Sequence, residues 1–149
     1  MILIITVLIV IADQLAKFAA IKYLKGQKPI VLIKDFLSFH YTENAGAAFG
    51  ILQQKRTLFI IITTIFLIVI TFYIFKYYNE LSLISKIGAA ILLGGSIGNF
   101  IDRIRFGYVV DFISVKLART YDFPVFNIAD MAIVLGTLVI VFVVLFDKQ

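Results

Sequence analysis

Four stretches of this chain are so consistently apolar that they leave it few ways to fold: residues 2–20, 58–75, 83–104 and 128–146. Each is close to the ~20 residues an α-helix needs to cross about 30 Å of hydrocarbon. Residues 58–75 carry no charge, and their small polar residues are Thr63, Thr64 and Thr71. The others hold a few polar groups: Asp13, Gln14 and Lys17 in the first, Asn99, Asp102 and Arg103 closing the third, and Asp130 near the start of the fourth. A hydrophobic share of 62% against 15% charged residues exceeds what a 149-residue soluble domain can hide, and is the reverse of a disordered composition. The expected fold is a membrane all-α architecture, a four transmembrane helix bundle. The first stretch has no positive region before it and no clear small-residue cleavage site after it, so it reads as an uncleaved span.

Missing residue types narrow the chemistry. Without cysteine there are no disulfides, thiolate nucleophiles or Cys-based metal sites. The single histidine, His40, cannot build a multi-His zinc site. The net charge of +5 is common in proteins facing anionic lipid. No basic run interleaved with aromatics points to nucleic acid. Any catalysis must rest on carboxylates, hydroxyls, amides, Lys or Arg, with no cofactor and no metal required.

The connections 21–57 and 105–127 are long, and 76–82 is short. In a four-span chain both long connections lie on one side. Asp13, Lys17, Asn99, Asp102, Arg103 and Asp130 all lie toward that end of their spans. Packing alone does not require such a gathering. Residues 36–42 alternate, with Leu37, Phe39 and Tyr41 on one side and Ser38, His40 and Thr42 on the other. Residues 109–115 are rich in β-branched side chains. Both read as strands and predict a small extramembrane β element at one face, resting on the helix ends. The long connections carry nine Lys and Arg, and the opposite side has Lys76, Lys86 and Lys148. By the positive-inside bias, charge alone would put the polar face in the cytoplasm.

Several groups can carry chemistry, each with a plainer reading beside it. Asp13 and Lys17 share a helix face four residues apart, as a structural ion pair or as support for a site. Gly94 and Gly98 have the spacing that lets membrane helices approach closely. Asn99 and Arg103 face the same way; Arg103 either snorkels to the interface or helps hold a substrate backbone or carboxylate. Asn127 and Asp130 fit an N-cap and N3 acid of the fourth span. Asp111 has no such local reason, because aspartate is a poor strand residue. Two carboxylates brought together do not both ionise easily, so one keeps a proton and the other acts as base. A proton or ion pathway and a purely structural arrangement are the rivals. The small-residue run 44–50, with Asn44 and Gly46, permits a tight turn or close backbone approach.

Taken in order, the motifs resemble the lipoprotein signal peptidases, the bacterial type II signal peptidases. The likeness runs through Asp13-Gln14-x-x-Lys17, then Thr42-Glu43-Asn44-x-Gly46-Ala47-Ala48-Phe49-Gly50. It continues through Gly94-Gly95-x-x-Gly98-Asn99-x-x-Asp102-Arg103-x-x-x-Gly107-x-Val109-x-Asp111-Phe112 and closes with Phe126-Asn127-x-Ala129-Asp130. Ser96 stands where the family often has alanine. The resemblance implies a single four-span peptidase unit of the bacterial cytoplasmic membrane, an aspartic endopeptidase whose catalytic pair matches Asp111 and Asp130. Its implied substrates are diacylglyceryl-modified prolipoproteins, cut just before the lipidated cysteine. It further implies both termini in the cytoplasm and the site at the outer face, against the charge count. Asn44, Gly46, Asn99, Arg103 and Asn127 are expected to position peptide or pair, with Asp13 and Lys17 in support. The expected partners are those prolipoproteins and membrane lipid, with no nucleic acid and the protein a monomer. The alternatives are a small proton-coupled carrier or channel lined by the intramembrane charges, and a Ser–Lys protease using Ser96 or Ser114.

Overall fold

The structure, a computed structural model, describes residues 1–46, 55–117 and 121–146. Residues 47–50 of the small-residue run, Arg119 and Lys148 lie outside the described residues. In chain order the elements are α1 (Ile2–Leu24), β1 (Ile30–Ile33), β2 (Leu37–Asn44), α2 (Arg56–Lys76), α3 (Leu83–Arg105), β3 (Val109–Leu117), β4 (Tyr121–Asp122) and α4 (Ile128–Phe146). All four helices are long and apolar enough to cross a membrane. Their outward faces are exposed and apolar, as lipid-facing surfaces should be; Leu3, Phe75 and Val144 are 73%, 83% and 77% exposed.

α3 is the buried centre of the bundle, and glycine is the reason its neighbours come so close. A Cβ at Gly94 would stand 2.8 Å from Ile9 Cβ of α1, and one at Gly98 2.6 Å from the Asp13 carboxylate. On another face, Gly95 meets the backbone of Ala129 on α4, and Gly136 of α4 packs against the backbone of Leu92 and Gly88. Between helices in lipid the hydrophobic effect gives no net attraction, so close contact and hydrogen bonds must hold them. Thr6 adds one such bond, donating to Ala90 O at 3.1 Å. The glycine spacing thus serves packing, toward α1 with Gly94 and Gly98 and toward α4 with Gly88 and Gly95.

α1 continues four residues beyond the expected end at residue 20. Its last turn is held by the sheet: Ala20 and Leu24 are buried against Val110 and Phe112 of β3. The sheet is antiparallel in the order β1-β2-β3-β4. β1 was not legible in the sequence, because its four residues are all apolar and all exposed, without alternation. β2 does not keep the expected strict alternation. Phe39 pairs with Ile113 and Thr42 with Asp111, so β2 carries one extra residue between them, a bulge. Beyond it Glu43 and Asn44 pair with Val110 and Val109, which lengthens β2 past the expected end.

Candidate active site

The site forms where the central turns of α1, the end of α3 and the start of α4 meet β2 and β3. Its lower layer is a buried ion network. Lys17 Nζ lies 2.8 Å from Asp13 Oδ2 and 2.9 Å from Asp102 Oδ2, and it donates to Asn99 Oδ1 at 2.9 Å. Asp13 and Asp102 are fully buried and Lys17 nearly so. Such charges persist away from water only when every lone pair and proton has a partner. Here Asp13 Oδ1 accepts from the Ala129 N–H that opens α4 (2.9 Å). Asp102 Oδ2 accepts from the Val110 N–H (3.1 Å), and Gln14 Nε2 donates to Asp102 Oδ1 (2.9 Å). Among the described residues no buried side-chain nitrogen or oxygen lacks a partner.

The upper layer holds the two aspartates. Asn127 Nδ2 donates to Asp111 Oδ1 at 2.6 Å, and Asn44 Nδ2 to Asp111 Oδ2 at 2.9 Å. Asn99 Nδ2 donates to Asp130 Oδ1 at 2.7 Å. Each amide is oriented by its other end. Asn99 Oδ1 accepts from Lys17 and Asn127, which leaves its NH₂ for Asp130. Asn44 Oδ1 accepts from the Gly46 N–H at 3.0 Å, which leaves its NH₂ for Asp111. Asn127 Oδ1 accepts from Asp130 N (2.9 Å) while Asp130 Oδ2 accepts from Asn127 N (3.2 Å), a reciprocal cap. The capping reading of Asp130 therefore holds, and the same carboxylate also faces the site.

Asp111 is 1% exposed. Burial, reinforced by the Asp130 carboxylate, pushes its acid up to about 7, against the hydrogen bonds from Asn44 and Asn127. Two carboxylates in one site, one of them raised by burial, are an arrangement general acid–base chemistry uses. Arg103 is half-buried beside them. Its guanidinium interacts electrostatically with Asp130, Asp111 and Asp102, and among the described residues it forms no ion pair and one weak hydrogen bond, Nη1 to Asn99 O at 3.4 Å.

All nine residues singled out from the sequence meet at this one place: Asp13, Lys17, Asn44, Gly46, Asn99, Arg103, Asp111, Asn127 and Asp130. Asp102 and Gln14 belong with them as well, beyond the residues expected there from the sequence. Their signal was positional, since Asp102 is one turn from Asn99 and Gln14 adjoins Asp13. Ser96 and Lys17 do not form the Ser–Lys arrangement. Ser96 Oγ donates to Leu92 O of its own helix at 2.8 Å, and Lys17 is held between two carboxylates.

Comparison with known proteins agrees over nearly the whole chain. The family model for signal peptidase (SPase) II matches residues 5–146. A lipoprotein signal peptidase of Clostridium tetani is 46% identical over 143 residues, 95% of this chain and 91% of the relative. One from Staphylococcus aureus is 40% identical over 147 residues, 99% and 89% of the two chains. A solved bacterial membrane enzyme, determined by the in meso method at 1.9 Å resolution, superposes with a TM-score of 0.85 at 39% identity, covering 99% of this chain and 94% of its own. With four spanning helices, one polar site at their ends and these matches, the chain belongs to the signal peptidase II family of bacterial membrane proteases.

Proposed function

We propose that this protease is an aspartic endopeptidase that removes signal peptides from diacylglyceryl-modified prolipoproteins, cutting just before the lipidated cysteine. The observation that carries the reading is the carboxylate pair: Asp111 on β3 and Asp130 on α4, each held by side-chain amide donors, with Asp111 pushed up to about 7. Asp111, which burial favours in its protonated form, donates to the scissile carbonyl. Asp130 sits in the first turn of α4, where the helix dipole favours negative charge, and takes a proton from the attacking water. The proton then returns to the leaving amine. Asn44, Asn99 and Asn127 keep the pair in place, and Gly46 fixes the Asn44 amide. Asp13 and Lys17 brace the layer beneath, and the N–H groups of Arg103 bind peptide carbonyls.

The position of the pair suits a lipid-anchored substrate. Asp130 lies at the start of α4 and Asp111 in the adjoining sheet, so in the proposed arrangement the pair sits at headgroup depth and not mid-bilayer. A cysteine anchored in the outer leaflet delivers its peptide bond to that depth, and confinement to two dimensions supplies positioning that free encounter lacks. This orientation places the sheet outside and both termini in the cytoplasm, against the loop charge bias. The test is mass spectrometry of a diacylglyceryl-modified prolipoprotein incubated with purified protein in detergent. Wild type should release the signal peptide directly before the modified cysteine, and Asp111→Asn and Asp130→Asn should each abolish the product. The double variant should be scarcely worse than either, because such groups act as a unit. Cleavage at near wild-type rate by a folded Asp130→Asn protein would refute the aspartic mechanism.

A further inference from the structure

We infer that the first turn of α2, through Arg56 and Phe59, is a positioning element for Arg103, and so tunes how tightly the peptide is held; this rests on the proposed role of Arg103 in binding peptide carbonyls. α2 packs chiefly on α3 and contributes none of the site residues described above, yet its first turn grips the end of α3 in two ways. Arg56 Nε donates to Arg103 O at 3.1 Å, and Arg56 Nη2 to Ile104 O at 2.8 Å. Those carbonyls belong to the last turn of α3, where the dipole is negative, so a forked cation is suited to both, Arg103 O also accepting from the Gly107 N–H at 3.1 Å. One turn along, the Phe59 ring lies 5.1 Å from the Arg103 guanidinium carbon. Arg56 thus holds the Arg103 backbone while Phe59 carries its charged head.

The ring contact matters because little else directs that head. Arg103 has no carboxylate within ion-pairing distance among the described residues, and its one hydrogen bond is long. A cation over an aromatic face keeps its in-plane N–H groups free, whereas a bidentate carboxylate would consume them. The arrangement holds Arg103 near the pair without occupying its donors. Arg56 reaches the pair by a second route. Its stem packs on Gly107, where a Cβ would lie 3.4 Å from Arg56 Cδ, and whose positive φ of 85° turns the chain from α3 toward Val109, Val110 and Asp111.

Phe59→Leu keeps the apolar bulk and removes the π face, Phe59→Tyr keeps the face, and Arg56→Gln breaks the fork. In Phe59→Leu and Arg56→Gln, kcat/KM should fall roughly 3- to 10-fold with the loss mainly in KM, and Phe59→Tyr should restore it. Melting temperature should change little in the Phe59 variants, which a merely structural role would not combine with a KM effect. A second readout needs no activity. The Arg103 Nε–H resonance, assigned by its disappearance in Arg103→Lys, should be ring-shifted in wild type and Phe59→Tyr and move toward its free position in Phe59→Leu. A resonance unmoved by Phe59→Leu, or a Phe59→Leu enzyme with wild-type KM, would overturn the positioning role. A wild-type protein that cuts no prolipoprotein would instead overturn the proposed substrate, and the resonance alone would then decide the fate of the Phe59–Arg103 contact.

Discussion

Asp111→Asn removes the carboxylate that burial and Asp130 keep protonated up to about pH 7, and its effect on stability should depend on pH in a definite direction. An unfolded chain releases that proton near 3.8. Between there and about 7 the folded protein binds one more proton than the unfolded one, so wild-type stability must fall as pH rises through this window. Three pH units at ~1.36 kcal/mol each give about 4 kcal/mol in all, of which roughly 2.5 kcal/mol falls between pH 5 and 8. Asparagine does not titrate and escapes that loss. It brings a cost of its own. Asp111 Oδ1 accepts from Asn127 and Oδ2 from Asn44, so one of these donors must now face the new NH₂. An unmet buried donor costs about 1–3 kcal/mol, equally at every pH. The variant should therefore gain about 2–3 kcal/mol on wild type between pH 5 and 8, whatever the constant offset, while remaining inactive throughout. Unfolding in detergent micelles by heat and by SDS, at pH 5, 6, 7 and 8, measures the difference. A gap that stays constant over that range would refute the reasoning, since Asp111 would then titrate alike in the folded and unfolded protein.

Gly98→Ala should destabilise the bundle by about 1–3 kcal/mol and lower activity, because its Cβ would meet an Asp13 carboxylate that Lys17 and the Ala129 N–H hold in place; an unchanged melting temperature would show that α1 can shift aside. Lys17→Met should cost more, about 3–5 kcal/mol, since it leaves Asp13 and Asp102 buried without their shared cation. Adding Asp13→Asn to Lys17→Met should recover part of that loss, and a double variant no better than the single would argue against the charge explanation. Single cysteines placed at Lys28 and Asn79 test sidedness in intact cells with an impermeant reagent: labelling at 28 and not at 79 is expected, and the opposite pattern would turn the site toward the cytoplasm.

Much of this protein is written in local patterns. The four spans follow from apolar length, and α4 occupies the very residues 128–146 that its hydrophobicity marks out. Span register and chain reversal alone send Asp13, Lys17, Asn99, Arg103 and Asp130 to one end of the bundle, because a membrane leaves an apolar helix only two ways to lie. The cap formed by Asn127 and Asp130 is equally local, joining positions three apart at a helix start. Other features depend on partners far away in the chain. The bulge in β2 appears only through pairing with β3, and it places Asn44 beside Asp111. β1 has no periodicity of its own and exists as a strand because β2 supplies its hydrogen bonds. Gln14 and Asp102 gain their roles from each other across 88 positions. By sequence Arg56 closes a long connection and Phe59 is one more apolar residue of a span; their roles come from α3, which ends against them. Apolar periodicity is a property of neighbours in sequence and can be read there. A buried hydrogen bond or a separated pair of carboxylates is a property of neighbours in space, and arises only once α1, α3, α4 and the sheet have closed around it.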